Sequence, residues 1–421
     1  MKRIFLSIAA VASAAILAVS CGNNQPGRAN TVITDYLYGV EYDDYDFEAG
    51  VKALENHMPA AAGCSEVRKG NFVGRNLDWY INHDASAVIK VNASEKRYAS
   101  LGVIGCFTKF SQDVAASGEY DALYSILPMF TVDGVNENGL YVGVNVMPTG
   151  ETSFDQDSWE SGAWGHGAAF TNPASDKTYC VTYLVRTVLD NAASVAEAKE
   201  LVQSINWFEP YNFPHDGQSQ SFHWLISDAE NSVVVEFLDN VACFTEAESL
   251  TEPSYGTIMT NFTNKLMADR QLIQINGIGY ERWDILAESY PEAEESFEGM
   301  ENLMKKVWYT TFYKGDPQSE SYLTGEFASS ERPASTLYRN DEFKQTEEFA
   351  QLAANSKKDF ENPEYWHSDD TPLWYTTHTS VYNIATQELN ILLHEGFDGQ
   401  KEFMAFSLAE SHFVKPLEMA E

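Results

Sequence analysis

The chain has 421 residues, 44% hydrophobic and 13% aromatic, and its 62 acidic against 27 basic side chains give a formal charge of -35. That length buries a core in one large domain or two to three ordinary ones, and the aromatic content argues against a disordered chain. An acidic excess of this size repels phosphate backbones and anionic lipid, which argues against nucleic acid or an acidic membrane surface as a direct partner.

Lys2 and Arg3 precede an apolar run from Ile4 to Val19 that ends in small residues, so residues 1–20 read as a secretory signal peptide. The run, about sixteen residues, is short for a spanning helix. Leu17-Ala18-Val19-Ser20-Cys21, followed by polar residues, resembles a bacterial lipobox. Cys21 is then the expected lipidation site, and the protein an exported cell-envelope lipoprotein, periplasmic or on the surface. Its contact with a membrane is expected only through that anchor. Residues 21–34 read as a lipoprotein tether, and 35–63 as a pro-segment or small companion chain ending in Ala60-Ala61-Ala62-Gly63.

From Cys64 the pattern becomes strands and turns. CSEVRKGNFVGRNLDW suggests a hairpin, and Asn136-Glu137-Asn138-Gly139 a turn between apolar runs. Residues 175–205 carry apolar residues at helical spacing and suggest two helices broken near Asn191 to Ser194. SFHWLISDAENSVVVEF suggests two strands turning at Asp228 to Asn231, and SYGTIMTNF a further strand. ERWDILAESYP and SFEGMENLMKKVWYTTF suggest helices, and TSVYNIATQELNILLHE a closing hairpin. The predicted class is α+β with antiparallel sheets, in one domain over residues 64–421.

Cys21, Cys64, Cys106, Cys180 and Cys243 are odd in number, which speaks against a disulfide scaffold. The last three sit in apolar stretches that suit buried free thiols. No CxxC, HExxH, GxGxxG or GxxxxGK[ST] motif occurs, so neither a metal nor a cofactor is expected.

Cys64 has its own logic. With Lys69-Gly70 as the hairpin loop, Cys64 lies opposite Arg75, at a Cβ separation of roughly 4.5 to 5.5 Å. A guanidinium there favours the thiolate and predicts a cysteine more reactive than a typical buried one. Asp78 has the wrong parity for that face and needs a bend or bulge to reach it. None of the histidines sits in a local signature aimed at Cys64; His223 and His378, with Ser380, read as structural. Cutting the Gly63-Cys64 bond would supply a base instead, an α-amine with a reference pKa of about 7.7 to 8.0. From the hairpin alone, an ordinary buried strand cysteine beside a surface arginine accounts equally for these residues.

Cys64 followed by GRNLDW, then DGVNENGLYVGVNVMP, HWLISDAENSVVVE, GTIMTNF and the late TSVYN strand, in that order, resembles the choloylglycine hydrolase family of N-terminal-nucleophile amidases. The long segment before Cys64 adds a likeness to the branch of acid ceramidase and N-acylethanolamine amidase. The resemblance implies a four-layer αββα sandwich with two antiparallel sheets, and autoprocessing between Gly63 and Cys64. It implies a nucleophile at Cys64, with Arg75 and Asp78 orienting it, and an oxyanion asparagine at Asn145. Asn261 would hold the amine or the substrate. Arg282 in GYERWD aligns with a late catalytic arginine, with Arg332 in SERPAS as its competitor. The function implied is hydrolysis of a small-molecule N-acyl amide: a conjugated bile acid, an N-acyl amino acid, penicillin V or an acyl-ethanolamide. An acyltransferase or small-peptide amidase of the same fold, or a catalytically silent surface binding lipoprotein, is the alternative. The sequence leaves the oligomeric state open, a homo-oligomer included.

Overall fold

The computed structural model describes residues 32–34, 37–53, 64–80, 86–104, 126–148, 167–209, 220–238, 240–269, 279–308, 374–393, 402–410 and 413. The proposed signal peptide, Cys21, Gly63, Cys106 and Arg332 lie outside the described residues. Strands β1 (Val32–Thr34) and β2 (Leu37–Tyr42) lead to helix α1 (Phe47–Ala53), and the hairpin β3 (Ser65–Lys69) and β4 (Phe72–Tyr80) follows. Next come β5 (Ser86–Val91), β6 (Ser100–Ile104), β7 (Thr131–Asn136), β8 (Tyr141–Pro148), β9 (Gly167–Phe170) and β10 (Thr178–Cys180). Helices α2 (Leu184–Asn191) and α3 (Val195–Gln203) precede β11 (Asn206–Glu209), β12 (Gln220–Ser227), β13 (Ser232–Leu238), β14 (Val241–Glu246) and β15 (Ile258–Met259). The chain continues through α4 (Asn264–Ala268), α5 (Gly279–Ser289), α6 (Phe297–Lys305), β16 (Trp374–Asn383), β17 (Glu388–Leu393) and β18 (Met404–Ser407).

A nine-stranded sheet runs β1-β2-β5-β6-β7-β8-β12-β13-β14, and a six-stranded sheet β15-β3-β4-β16-β17-β18. Their apolar residues alternate with period two, which assigns each sheet two buried faces. On β12, Trp224 and Ile226 pack with Leu184, Val188 and Val202 of α2 and α3. Leu225 between them points the other way, into a core shared with Val73, Tyr382, Leu389 and Ile391 of the six-stranded sheet. Beyond that sheet, Val67 and Val381 pack on Leu286, Met300, Leu303 and Met304 of α5 and α6. The order helices, sheet, sheet, helices is the αββα sandwich. Burying each such large side chain contributes on the order of 1.5–3 kcal/mol.

The two middle helices separate where the sequence suggests. Ser194 Oγ accepts from the Glu197 N–H at 3.3 Å, and Glu197 Oε2 accepts from the Ala193 N–H at 2.8 Å, a reciprocal cap that starts α3 afresh. The turn at residues 136–139 joins β7 to β8, and residues 228–231 join β12 to β13. Other details differ from expectation. The closing hairpin gains a third strand, β18, and a small sheet β10-β11-β9 forms. Two pairings are parallel: β10 with β11, and β2 with β5. The parallel partner of β5 comes from the segment before Cys64, so residues 37–42 complete an edge of the nine-stranded sheet and residues 32–34 extend it. Tyr45 of the same segment is buried, donates to Asp190, and lies under the Arg97 guanidinium at 3.9 Å. β2 thus lies in one sheet and the next strand of the chain, β3, in the other.

Candidate active site

The first hairpin places the site, in a register that corrects the expected one. Lys69 pairs with Phe72 and Glu66 with Arg75, so Gly70-Asn71 is the loop and not Lys69-Gly70. Gly70 takes φ +53°, a left-handed conformation that glycine adopts without penalty, and this moves the turn by one residue. Cys64 therefore stands one pair further along the face than Arg75. The long guanidinium spans the diagonal, and Arg75 Nη2 lies 3.7 Å from Cys64 Sγ.

Asp78 meets Cys64 through its backbone, and the register shift beside it lies on the partner strand β16 and not after Arg75 in β4. The β4–β16 register shifts between Thr376 and His378, facing Asp78 and Leu77, with Thr377 as the extra residue. Asp78 Oδ1 accepts from Thr376 Oγ1 at 2.6 Å, and Oδ2 from Arg282 Nη1 at 2.7 Å, while its backbone hydrogen-bonds the Cys64 sulfur. Arg282 reaches in from α5 and also donates, through Nη2, to Asn261 Oδ1. Asn261 follows β15 and donates to the Val146 carbonyl at 2.5 Å.

Asn145 sits between two tethered carbonyls. The β7 ladder with β8 ends at Gly143, leaving the next carbonyls free: Arg75 Nη2 donates to Val144 O at 2.6 Å, and Asn261 to Val146 O. Arg282, Asp78, Asn261, Arg75 and Cys64, named separately from the sequence, thus form one hydrogen-bonded set, and Asn145 stands between the two carbonyls that Arg75 and Asn261 hold. All but Asn261, 6% exposed, are inaccessible to solvent.

Three neighbours were not singled out from sequence. Asp133 on β7 accepts from Arg75 Nη1 at 2.6 Å, from Tyr382, and from Ser380 Oγ at 3.3 Å. Glu66 on β3 lies 3.3 Å from Arg75 Nε and accepts from Tyr141 at 3.2 Å. Thr376 holds Asp78. A lone Asp in the apolar run TVDGVN was the available signal for Asp133, and Glu66 becomes visible only once the hairpin turn is placed. His378 is buried between Ser86 Oγ at 3.2 Å and Asp133, and His223 lies between the Thr260 carbonyl at 2.7 Å and Glu236 at 3.2 Å. Cys180 is buried as expected, and Cys243 is half-buried.

Electrostatics correct the expected thiol. Burial pushes Cys64 up to about 11, outweighing the pull of Arg75. At pH 7 only on the order of one thiol in ten thousand is then ionised, so Arg75 alone does not activate it and a base must take the proton. Burial also lifts Asp78 to about 7, against Arg282 and the Thr376 hydroxyl, and Glu66 to about 8, against Arg75. Asp133, although buried, is held below the ordinary carboxylate range by Arg75 first and then by His378 and Tyr382.

Residues 64–266 match the family model of the linear amide C-N hydrolases, choloylglycine hydrolase family. No curated protein sequence matches the chain. Among solved structures, it is similar to a variant of the conjugated bile acid hydrolase from Clostridium perfringens, at 15% identity over 84% of this chain and 94% of that one, TM-score 0.39. It is also similar to penicillin V acylase from Agrobacterium tumefaciens, at 13% identity over 78% and 82%, TM-score 0.31. The matched segment opens on Cys64 and carries Arg75, Asp78, Asn145 and Asn261. The likeness of the chain to the choloylglycine hydrolase family of linear amide C-N hydrolases thus rests on residues 64–266.

Proposed function

We propose that the protein is an autoprocessed cysteine amidohydrolase that cleaves the C–N bond of a small N-acyl amide. The observation that carries this reading is the convergence of Arg75, Asp78 and a chain through Arg282 to Asn261 on one buried cysteine that opens the family match. Cutting the Gly63-Cys64 bond places an α-amine beside a thiol that needs a base. That amine takes the Sγ proton as sulfur attacks the acyl carbon. Asn145 and a backbone N–H stabilise the oxyanion. The C–N bond then breaks, the protonated α-amine gives its proton to the leaving nitrogen, and water hydrolyses the thioester to the acid and free thiol. Arg75 and Asp78 fix the nucleophile, and Arg282 holds Asp78 and Asn261 in register. The substrate joins an apolar acyl group to a small polar amine, of the conjugated bile acid, N-acyl amino acid, penicillin V or acyl-ethanolamide type. Export and lipidation at Cys21 rest on the leader and lipobox pattern. The anchor would then hold residues 64–421 through the companion segment alone.

The test is intact mass and N-terminal sequencing of purified protein, with released amine scored on those four substrate types. A new N-terminus at Cys64, and loss of all amide hydrolysis in Cys64→Ser, are the expected results. Full activity in Cys64→Ser would overturn the reading. Capture of the acyl group by an added amine in place of water would instead identify an acyltransferase.

A further inference from the structure

His223 has no part in the scheme above, yet it holds the peptide from which Asn261 hangs. It stands on β12 between Asn145 of β8 and Glu236 of β13, in one cross-strand row. Leu225, two residues on and therefore on the same face, lies in the core shared with the six-stranded sheet, so the row looks across at that sheet. His223 and Glu236 are both inaccessible to solvent. The imidazole spans the gap, with Nε2 2.7 Å from the Thr260 carbonyl. A carbonyl only accepts, so Nε2 donates. Nδ1 faces Glu236 Oε1 at 3.2 Å.

Glu236 takes hold of the same segment further along. Its Oε1 accepts from the Asn264 N–H at 2.8 Å and its Oε2 from the Lys265 N–H at 2.7 Å, at the start of α4. Residues 260–265 are thus moored to the nine-stranded sheet on both sides of Asn261, by two side chains paired across adjacent strands. The mooring matters because β15 is only two residues long, and its ladder with β3 ends at Met259, one residue before Thr260. Asn261 has left that ladder, and its side chain meets Val146 of the opposite sheet and Arg282 of α5.

We infer that His223 is a positioning residue of the hydrolysis, whose Nε2–H sets Asn261 through the carbonyl of Thr260. The inference rests on the reading of Asn261 as an active-site residue. The Thr260 carbonyl carbon is bonded to the Asn261 nitrogen, and the peptide is planar, so fixing that oxygen fixes the plane that leads into Asn261. Removing the donor leaves a buried carbonyl unsatisfied, which drives the plane to turn towards another partner. The Asn261 amide then loses its register with Val146 and Arg282. Glu236 supports this from behind, holding the ring and the first turn of α4 with one carboxyl group.

The test separates the two ring nitrogens with side-chain amides: glutamine carries its N–H where Nε2 stands, and asparagine where Nδ1 stands. On the amide that wild type hydrolyses best among the four types above, His223→Gln is expected to keep kcat/KM near the wild-type value, and His223→Asn to lose about a hundredfold. In Asn261→Ala, adding His223→Asn should change kcat/KM no further. A second readout needs no turnover. In Cys64→Ala protein labelled with 15N-asparagine, the Asn261 side-chain amide resonance, identified by its loss in Asn261→Ala, is expected to shift in His223→Asn and to keep its place in His223→Gln. Melting curves taken alongside show that each variant is folded. Equal losses from the two substitutions would overturn the inference, because a histidine that only fills the core has no preference for where the N–H stands. An Asn261 resonance indifferent to both would overturn it too, as would the same loss from His223→Asn with and without Asn261. If His223→Asn does not fold, His223→Gln decides alone: agreement with wild type in rate and resonance supports the inference, and a folded but impaired protein overturns it. Full kcat/KM in Asn261→Ala would overturn the reading of Asn261 itself, and the inference with it.

Discussion

Arg282 bridges Asp78 and Asn261 with two nitrogens of one planar group, a geometry that a lysine ammonium does not reproduce. Arg282→Lys is expected to lower kcat by about a hundredfold and to destabilise the fold by roughly 3 kcal/mol, since one buried partner loses its donor. Steady-state kinetics and urea denaturation check this, and a variant with unchanged kcat would remove Arg282 from the site. The buried carboxyls also give stability a pH dependence of definite sign. Asp78, at about 7, and Glu66, at about 8, bind their protons more tightly folded than unfolded. Their stabilising contribution is complete near pH 4 and is lost as pH rises through 7 and 8. Asp133, held low, contributes in the opposite sense, losing its part only below the ordinary carboxylate range. The melting temperature of Cys64→Ala, which stays uncut under the proposed mechanism, is therefore expected to fall from pH 5 to pH 9, with a smaller fall once Glu66→Gln is added. Calorimetry showing a rise over that range would contradict the assignment.

At the scale of elements, the first hairpin shows what sequence reveals and what it hides. Its existence, its face and the meeting of Cys64 with Arg75 were legible, because all follow from alternation and a turn signal. The register was not, since RKGN offers two loops and only the left-handed Gly70 decides between them. Gly70→Ala places a Cβ-bearing residue in that conformation and is expected to cost about 1–2 kcal/mol. The exposed Glu295 carboxylate over the turn can swing aside, so the cost reports backbone strain. Urea unfolding measures it, and a neutral result would point to the other loop. The bulge beside Asp78 was not legible, because the residue that makes it, Thr377, lies on a strand from the far end of the chain. The two middle helices, by contrast, were legible to their break, since their cap is local. Glu66 and Asp133 stayed hidden because their meaning depends on Arg75 crossing between sheets.

For the whole molecule, the segment before Cys64 is part of the fold. It adds two strands to the nine-stranded sheet, inserts Tyr45 between Asp190 and Arg97, and ties Glu48 to Tyr179 at 3.0 Å. A cavity of about 490 Å³, lined by Tyr45, Phe47, Arg97, Tyr179 and Asp190, marks its seam with the rest. A chain cut before Cys64 is expected to elute from size exclusion as one species and to resolve into two pieces only in denaturant. Loss of the small piece in native buffer would show that these contacts do not hold it.

The change of sheet between β2 and β3 gives that cut a further property. Cys64 itself belongs to no strand ladder, so a cut before it breaks none of the described strand pairings. Unfolding would read the change: the intact chain refolds at a rate independent of concentration, whereas the cut protein must first find its own missing sheet edge in solution. Dilution would slow its return, and the finished molecule would be kinetically committed to a structure that only its precursor can reach alone.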